Sequence, residues 1–359
     1  MTDLQKFLVF LSQFDFNYSK LQQIIDMMDD DFSLSHFCKM KFDKSVLTNE
    51  SHEKMKEKAD YQRISNYYKN MLDQDIKLIT KFDDDYPRKL ADLPDAPLFL
   101  FCKGDLKLMN EKALAVVGTR KPTGYGRMVT NKIVGDVAQN GVVIVSGLAY
   151  GVDSIAHRKC LEVGGKTIAV LGSGLNMIYP AEHQDLADEI ARKGLLISEY
   201  SPNKTATKYS FPQRNRIIAG LSEGVLITEA SIKSGTIHTK DFALDYGKNI
   251  YAVPGNIDSS ASELTNEVIK TGQAQCVTNS LDILNDYNIY NKKEDKKSRI
   301  CQLSLEEQAI TALLEDGMKD IDYLTKNCNL SISEFNSYLT SLEINGIISR
   351  LPGGFISLN

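Results

Sequence analysis

A chain of 359 residues with 42% hydrophobic and 25% charged content is long enough for two or three domains, each burying its own core. No apolar run reaches the roughly 20 residues of a membrane helix, and Met1 to Phe10 carries Asp3 and Lys6 without a signal-peptide pattern, so a cytoplasmic protein is expected. The net charge of −5 excludes a surface that is basic all over, so any nucleic-acid site must be local. Six cysteines (Cys38, Cys102, Cys160, Cys276, Cys301 and Cys328) form no C-x-x-C pair, so neither a metal site nor a disulfide framework is expected.

In chain order, Leu4, Phe7, Leu8, Leu11 and Phe14, then Leu21, Ile24, Ile25 and Met28, follow helical spacing and predict a small helical domain over residues 1–80. Phe82 to Leu100 contains Pro87, Pro94 and Pro97, which forbid a continuous helix and suit an irregular connector. From Ala113 the pattern changes to short β-branched runs that end in glycine or polar turns and lead into helical stretches. The runs are Ala115–Val117, Val142–Val145, Thr167–Leu171, Leu195–Ile197, Val225–Thr228 and Ile250–Val253. Such a succession predicts an α/β class fold, a Rossmann-like doubly wound parallel sheet over residues 81–285. A charged linker without apolar residues runs from Asn291 to Arg299 within 286–300. Leu305 to Leu314, Ile321 to Asn327 and Ile332 to Ile344 read as helices, and Ile347 to Leu358 as a hairpin turning at Pro352-Gly353-Gly354, so 301–359 is expected to be a winged helix.

Ligands of open α/β sheets bind at the carboxyl ends of the strands, and the unusual residues of this sequence fall there. The first of these runs ends in Gly118-Thr119-Arg120, where small residues admit a phosphate to the backbone and Arg120 can grip it in two places. The spacing to Gly124 and Gly126 is not the G-x-G-x-x-G of dinucleotide binders, so no cofactor is expected. Further small-residue loops follow at Ser146-Gly147 and Gly172-Ser173-Gly174. Asp153 and His157, four apart, read as a structural hydrogen-bonding pair in preference to an acid/base pair. Between Glu199 and Glu223 stand Lys204, Lys208, Arg214 and Arg216 with no acidic residue, and Phe211 lies among them. Guanidinium groups beside an aromatic face suit a single strand of nucleic acid; a buried Phe beside a solvated basic face is the competing reading. Glu229 precedes Lys233, Ser234, Gly235 and Thr236, and is either a helix-positioning carboxylate or a catalytic one.

Together these segments resemble the DNA-processing protein A (Smf) family from about Tyr86 to Thr278. The likeness runs through Gly118-Thr119-Arg120, Ser146-Gly147-Leu148-Ala149 with Gly151 and Asp153, Ala156-His157, Gly165 to Gly174 and Tyr179-Pro180. It continues through Phe211-Pro212, Arg214 to Gly220, Val225 to Ala230, Ser234-Gly235 and Ala252 to Gly255. The resemblance implies a homodimer, without catalytic residues, that binds single-stranded DNA above the sheet and helps to load a RecA recombinase in recombination and natural transformation. It implies a DNA site of Gly118, Thr119, Arg120, Ser146, Gly147, Phe211, Arg214, Asn215, Arg216, Lys233, Ser234 and Gly235. A helical N-terminal domain of the SAM type and a C-terminal winged helix match common additions to the family. Two positions depart from its pattern, Tyr150 in place of the usual arginine and Leu264 in place of a glycine between Ser262 and Asn266. A fainter likeness of the Glu229 to Thr236 segment to lysine-decarboxylase-like phosphoribohydrolases supplies the enzyme alternative. There the glycine and threonine follow the glutamate instead of preceding it, which counts against that alternative.

Overall fold

The computed structural model describes residues 2–14, 16, 18–289, 303–314, 317–328, 330–344 and 347–358. The charged stretch 291–299 and Cys301 lie outside the described residues. The chain divides into two compact units, Met1–Ile283 and Leu284–Asn359.

The strands of the first unit are β1 (Lys77–Thr80), β2 (Phe99–Gly104), β3 (Ala113–Val117), β4 (Val143–Ser146), β5 (Thr167–Leu171), β6 (Leu195–Ser198), β7 (Gly224–Ile227), β8 (Asn249–Ala252) and β9 (Gln275–Cys276). They form one sheet in the order β1-β2-β6-β5-β4-β3-β7-β8-β9. All six predicted runs are strands, and they pair in parallel from β6 through to β8. The strands alternate between two buried layers even though their sequences do not alternate in polarity. Ile168 and Val170 of β5 face one core with Leu195 and Ile197 of β6, whereas Ala169, Leu171 and Leu196 face the other. A strand covered on both sides reads as a continuous apolar run for this reason. The chain steps outward from β3 to β6 and then crosses back to place β7 against the other side of β3. That reversal opens a crevice at the carboxyl ends of β3 and β7.

Two antiparallel strands missing from the sequence reading extend the sheet beyond β6. β2 begins at Phe99, inside the stretch read as a connector, and its residues Phe99 to Cys102 are fully buried. The prolines upstream of it masked a strand of six residues, four apolar ones followed by Lys103 and Gly104.

The helices that precede the sheet are α1 (Asp3–Leu11), α2 (Tyr18–Met27), α3 (Leu34–Lys39), α4 (Asn49–Lys56) and α5 (Tyr61–Leu72). The apolar residues that predicted α1 and α2 are buried: Phe7, Leu8 and Leu11, with Leu21, Ile24 and Met28. They do not close a core of their own. Phe7, Phe10, Phe37 and Met28 share one apolar cluster with Phe99, Phe101, Leu171 and Leu196 of the sheet. Helices this short carry too little apolar surface to bury it among themselves, and the face of β2, β6 and β5 completes the core.

The remaining helices of this unit are α6 (Arg88–Ala91), α7 (Gly124–Gln139), α8 (Val152–Glu162), α9 (Gln184–Lys193), α10 (Ser210–Gly220), α11 (Thr236–Asp245) and α12 (Glu263–Lys270), with α13 (Leu281–Asp286) at the unit boundary. Leu264 occupies the first turn of α12. Its side chain is buried in the core, and its N–H donates to the Ala230 carbonyl at 3.0 Å.

The second unit has helices Leu305–Leu313, Ile321–Asn327 and Ile332–Ile344, followed by β11 (Ile348–Leu351) and β12 (Phe355–Leu358) around the Pro352 to Gly354 turn. A two-residue strand, β10 (Lys319–Asp320), pairs with β12, a feature too short to leave a pattern in sequence. Ile310, Leu324, Phe335, Leu339 and Ile356 form its core, and the architecture is a winged helix.

Candidate functional site

The crevice at the β3 and β7 ends is a cleft of about 600 Å³. Its floor is the Gly118-Thr119-Arg120 turn; one wall is the start of α10 with Lys208 and Phe211, and the other is Ser234, Gly235 and Thr236 at the start of α11. The close approach of these loops depends on glycine. A Cβ on Gly118 would press on the Glu229 carbonyl and Val152, and one on Gly172 would meet the ring of Phe211 at 2.9 Å. Gly151, at φ +79°, turns the chain into α8, where a Cβ would collide with the Thr119 and Arg120 backbone. Leu148, one turn earlier, is buried at φ +58°. Its carbonyl accepts a hydrogen bond from His183 Nδ1 at 2.8 Å, so that imidazole holds a backbone conformation that a branched side chain disfavours.

Arg120 lies over the face of Phe211, 5.7 Å from the ring centroid, and the Phe211 ring in turn contacts Tyr179 at 5.4 Å between centroids. Lys208 is exposed on the same rim. Among the described residues neither Arg120 nor Lys208 makes an ion pair, so both keep their charge open to a ligand. Asn215 also lines the cleft, with Nδ2 at 3.5 Å from the Gly235 carbonyl, and Lys233 is exposed on the turn that leads into Ser234.

Four of the residues expected to touch DNA sit differently. Arg214 is 4% exposed and its Nη1 donates to the Gly147 carbonyl at 2.6 Å and to the Val170 carbonyl, tying together the ends of β4 and β5. Burial, opposed by the nearby Asp153 carboxylate and reinforced by Arg120, lowers its pKa to about 10. Burial likewise raises Asp153, against the pull of Arg214 and of the Gly147 N–H that donates to it at 3.1 Å. Arg214 lines the cleft with only the 4% of its surface that stays exposed. Arg216 does not line it: it is 3% exposed, donates to both oxygens of Glu199 at 2.5 Å, and has Nε 3.8 Å from Asp95. Burial pulls its pKa down, but the Glu199 and Asp95 carboxylates outweigh that and hold it above the ordinary value. Two arginines only two residues apart on α10 are therefore both buried in the protein. Ser146 is fully buried, and its hydroxyl donates to the Val116 carbonyl at 2.6 Å. Gly147 lies beneath Arg214, whose guanidinium leaves no space for a Cβ there.

The two candidate acid/base groups are positioned structurally. Glu229 is 2% exposed; its carboxylate accepts from the Thr123 N–H at 2.8 Å and the Thr123 hydroxyl at 2.6 Å, fixing the residue that caps α7. Gly126 packs against that carboxylate, with no room for a Cβ. Asp153 and His157 do not bond each other. His157 Nδ1 lies 2.7 Å from Thr167 Oγ1, whose own hydrogen goes to the Ile144 carbonyl, so the imidazole carries its proton on Nδ1. Its Nε2 is buried without a partner, and burial, with Arg214 and His183 nearby, pushes its pKa down to about 3.

A sequence model of the DNA recombination-mediator protein A family matches residues 77–288, more than half of the chain. The chain belongs to this family. A second model, the winged helix domain of the same proteins, matches residues 294–354. Among curated relatives, the DNA processing protein DprA of Streptococcus pneumoniae is 42% identical over 205 residues, covering 57% of this chain and 72% of that protein. Protein Smf of Escherichia coli is 35% identical over 289 residues, covering 78% and 77%. The crystal structure of the S. pneumoniae protein superposes with a TM-score of 0.66 at 32% identity, over 79% of this chain and 98% of that one. A structure of DNA processing protein A from Helicobacter pylori, described by its single-stranded DNA binding mode, superposes with a TM-score of 0.54 at 35% identity, over 59% and 95%.

In this family member four residues of the cleft and its rim escape the sequence reading as site residues. Lys208 was counted in the basic segment but not assigned, His238 and Thr239 sit one helical turn beyond the Ser234-Gly235 turn, and Tyr179 meets Phe211 from a different loop. Lys208 carried a visible signal, a cation three residues before an aromatic one. His238 and Thr239 carried none, since only the packing of α11 brings them to the rim; Tyr179 stands in the family resemblance, but only the loop after β5 brings it to Phe211.

Proposed function

We propose that this chain binds single-stranded DNA in the cleft above β3 and β7, without hydrolysing it, and as a homodimer in the cytoplasm helps to load a RecA-type recombinase during recombination and natural transformation. The observation that carries the reading is the pairing of Arg120 with the face of Phe211 at the sheet reversal, with Lys208 beside them. A guanidinium for phosphate next to an aromatic face for a base is what sequence-tolerant single-strand binding requires. Family membership and the single-stranded DNA binding mode described for the H. pylori protein support the same ligand. The phosphoribohydrolase alternative needs a free carboxylate at the nucleotide, and Glu229 is occupied by the N–H and hydroxyl of Thr123, the residue that caps α7. The DNA-contacting set narrows to Gly118, Thr119, Arg120, Lys208, Phe211, Asn215, Lys233, Ser234 and Gly235; Ser146, Gly147, Arg214 and Arg216 act as scaffold beneath it. The domain plan proposed is 1–80, 81–285, 286–300 and 301–359, the first packed on the sheet of the second.

Fluorescence anisotropy with an oligo-dT strand and its duplex, at two salt concentrations, tests this. Wild type is expected to prefer the single strand, with affinity that falls as salt rises, and Arg120→Ala is expected to weaken it at least about fivefold. Equal affinity of wild type and variant, or preference for the duplex, would remove the cleft from consideration.

A further inference from the structure

A second groove, of about 480 Å³, lies on the other side of Arg120 from the cleft. It is lined by Arg120, Lys121 and Arg127, with Tyr150 and Ser154 opposite. Lys121 and Arg127 are exposed, and among the described residues none of the three cations makes an ion pair. Three unneutralised cations along one groove of a chain with net charge −5 form a local field that attracts a polyanion. Between groove and cleft is a narrow saddle formed by Arg120, Tyr150, Tyr179 and Phe211, so one arginine borders both spaces. Tyr150 is 40% exposed and its ring is fixed at two points: the hydroxyl donates to Glu182 at 2.6 Å, and the ring packs T-shaped against His183 at 5.1 Å between centroids. A ring held this way presents a prepared face at no further entropic cost, and an unpaired base has a complementary π-face. The Glu182 carboxylate stands at the hydroxyl end of the ring, which directs phosphates toward the cations of the opposite wall.

We infer that a nucleic-acid single strand leaving the cleft crosses Arg120 and continues through this second groove, its phosphates on Lys121 and Arg127 and a base stacked on Tyr150. The inference rests on the reading of the cleft as a single-strand site. It makes the footprint longer than the cleft and gives the strand a path of two segments joined at Arg120. Duplex DNA does not fit this arrangement, because the saddle is walled by aromatic faces that only unpaired bases can use.

The full-length protein is titrated with oligo-dT of about 5 and about 15 nucleotides, lengths spanning the footprints of single-strand grooves. The Lys121→Ala, Arg127→Ala double variant alters only exposed side chains and is expected to fold. It should bind the short strand as wild type does, bind the long strand about fivefold or more weakly, and show a long-strand salt slope shallower by about 1.4, two phosphate contacts for a single strand. Tyr150→Leu should weaken the long strand alone, whereas Tyr150→Phe, which keeps the ring, should restore most of that loss. A double variant that matches wild type on both lengths, or that loses affinity equally on both, overturns the second segment while leaving the cleft in place. Failure of wild type to bind either strand would overturn the reading of the cleft itself, and this path with it.

Discussion

Two sets of arginine and lysine residues lie within a few residues of the same crevice and have opposite fates. Arg214 and Arg216, on α10, are almost wholly buried: one on main-chain carbonyls, the other on Glu199 and Asp95. Arg120, Lys121, Arg127 and Lys208 border the two grooves with no ion pair among the described residues. Two of the four basic residues between Glu199 and Glu223 are therefore scaffold, and the β3–α7 segment holds open charge at Arg120, Lys121 and Arg127. A guanidinium carries five donors in a planar fork, so it can organise carbonyls from two strands as readily as it can grip a phosphate. Which role it takes depends on whether acceptors already surround it.

The comparison is broken most sharply by removing a buried arginine. Arg216→Ala leaves Glu199 enclosed without its partner and is expected to destabilise the fold by about 3–5 kcal/mol in urea unfolding, far more than any change at the exposed set. A loss as small as that of a surface substitution would mean that Arg216 is not the structural element it is drawn as.

A second effect belongs to the cluster around Arg214. His157 is held neutral in the folded state, with a pKa near 3, whereas the unfolded chain takes up the proton below pH 6.5. The unfolded state then binds more protons, so stability falls as pH drops through that window, by about 1.4 kcal/mol per pH unit from this group. Measured against His157→Gln, the wild type should lose stability more steeply between those two pH values; parallel slopes would show that His157 titrates in the folded protein.

Smaller again is His183→Ala, which removes the donor to the Leu148 carbonyl and is expected to cost about 1 kcal/mol of unfolding free energy, with greater proteolysis of the 146–151 loop. The smallest change in stability belongs to Lys208→Ala. Its unfolding midpoint should match wild type while single-strand affinity falls and the salt dependence becomes shallower by about 0.7. An altered midpoint with unchanged affinity would place Lys208 with the scaffold.

Much of the sheet was legible in residue order. The six parallel strands announce themselves because both faces are buried, which forces continuous Val, Ile and Leu runs such as Val143-Ile144-Val145. The winged helix was equally readable, since its helices and the Pro352-Gly353-Gly354 turn are local features. β2 was hidden by the prolines that precede it, and β10 by its two-residue length. In the site, Gly118 to Arg120, Phe211 and Ser234-Gly235 lie in the cleft where the loops were expected to put them.

Residue order by itself determined the six parallel strands, where the small-residue loops fall and that positive charge gathers near Phe211, because spacing, turn chemistry and composition are local properties. Only the tertiary structure decided that the N-terminal helices complete the sheet's core, that Glu229 holds the capping residue Thr123 of α7 and that Arg216 pairs with Glu199 and Asp95. The reason is physical: burial and partner choice depend on which distant carbonyls and carboxylates arrive beside a side chain, and that is set by the crossing of the chain from β6 back to β7.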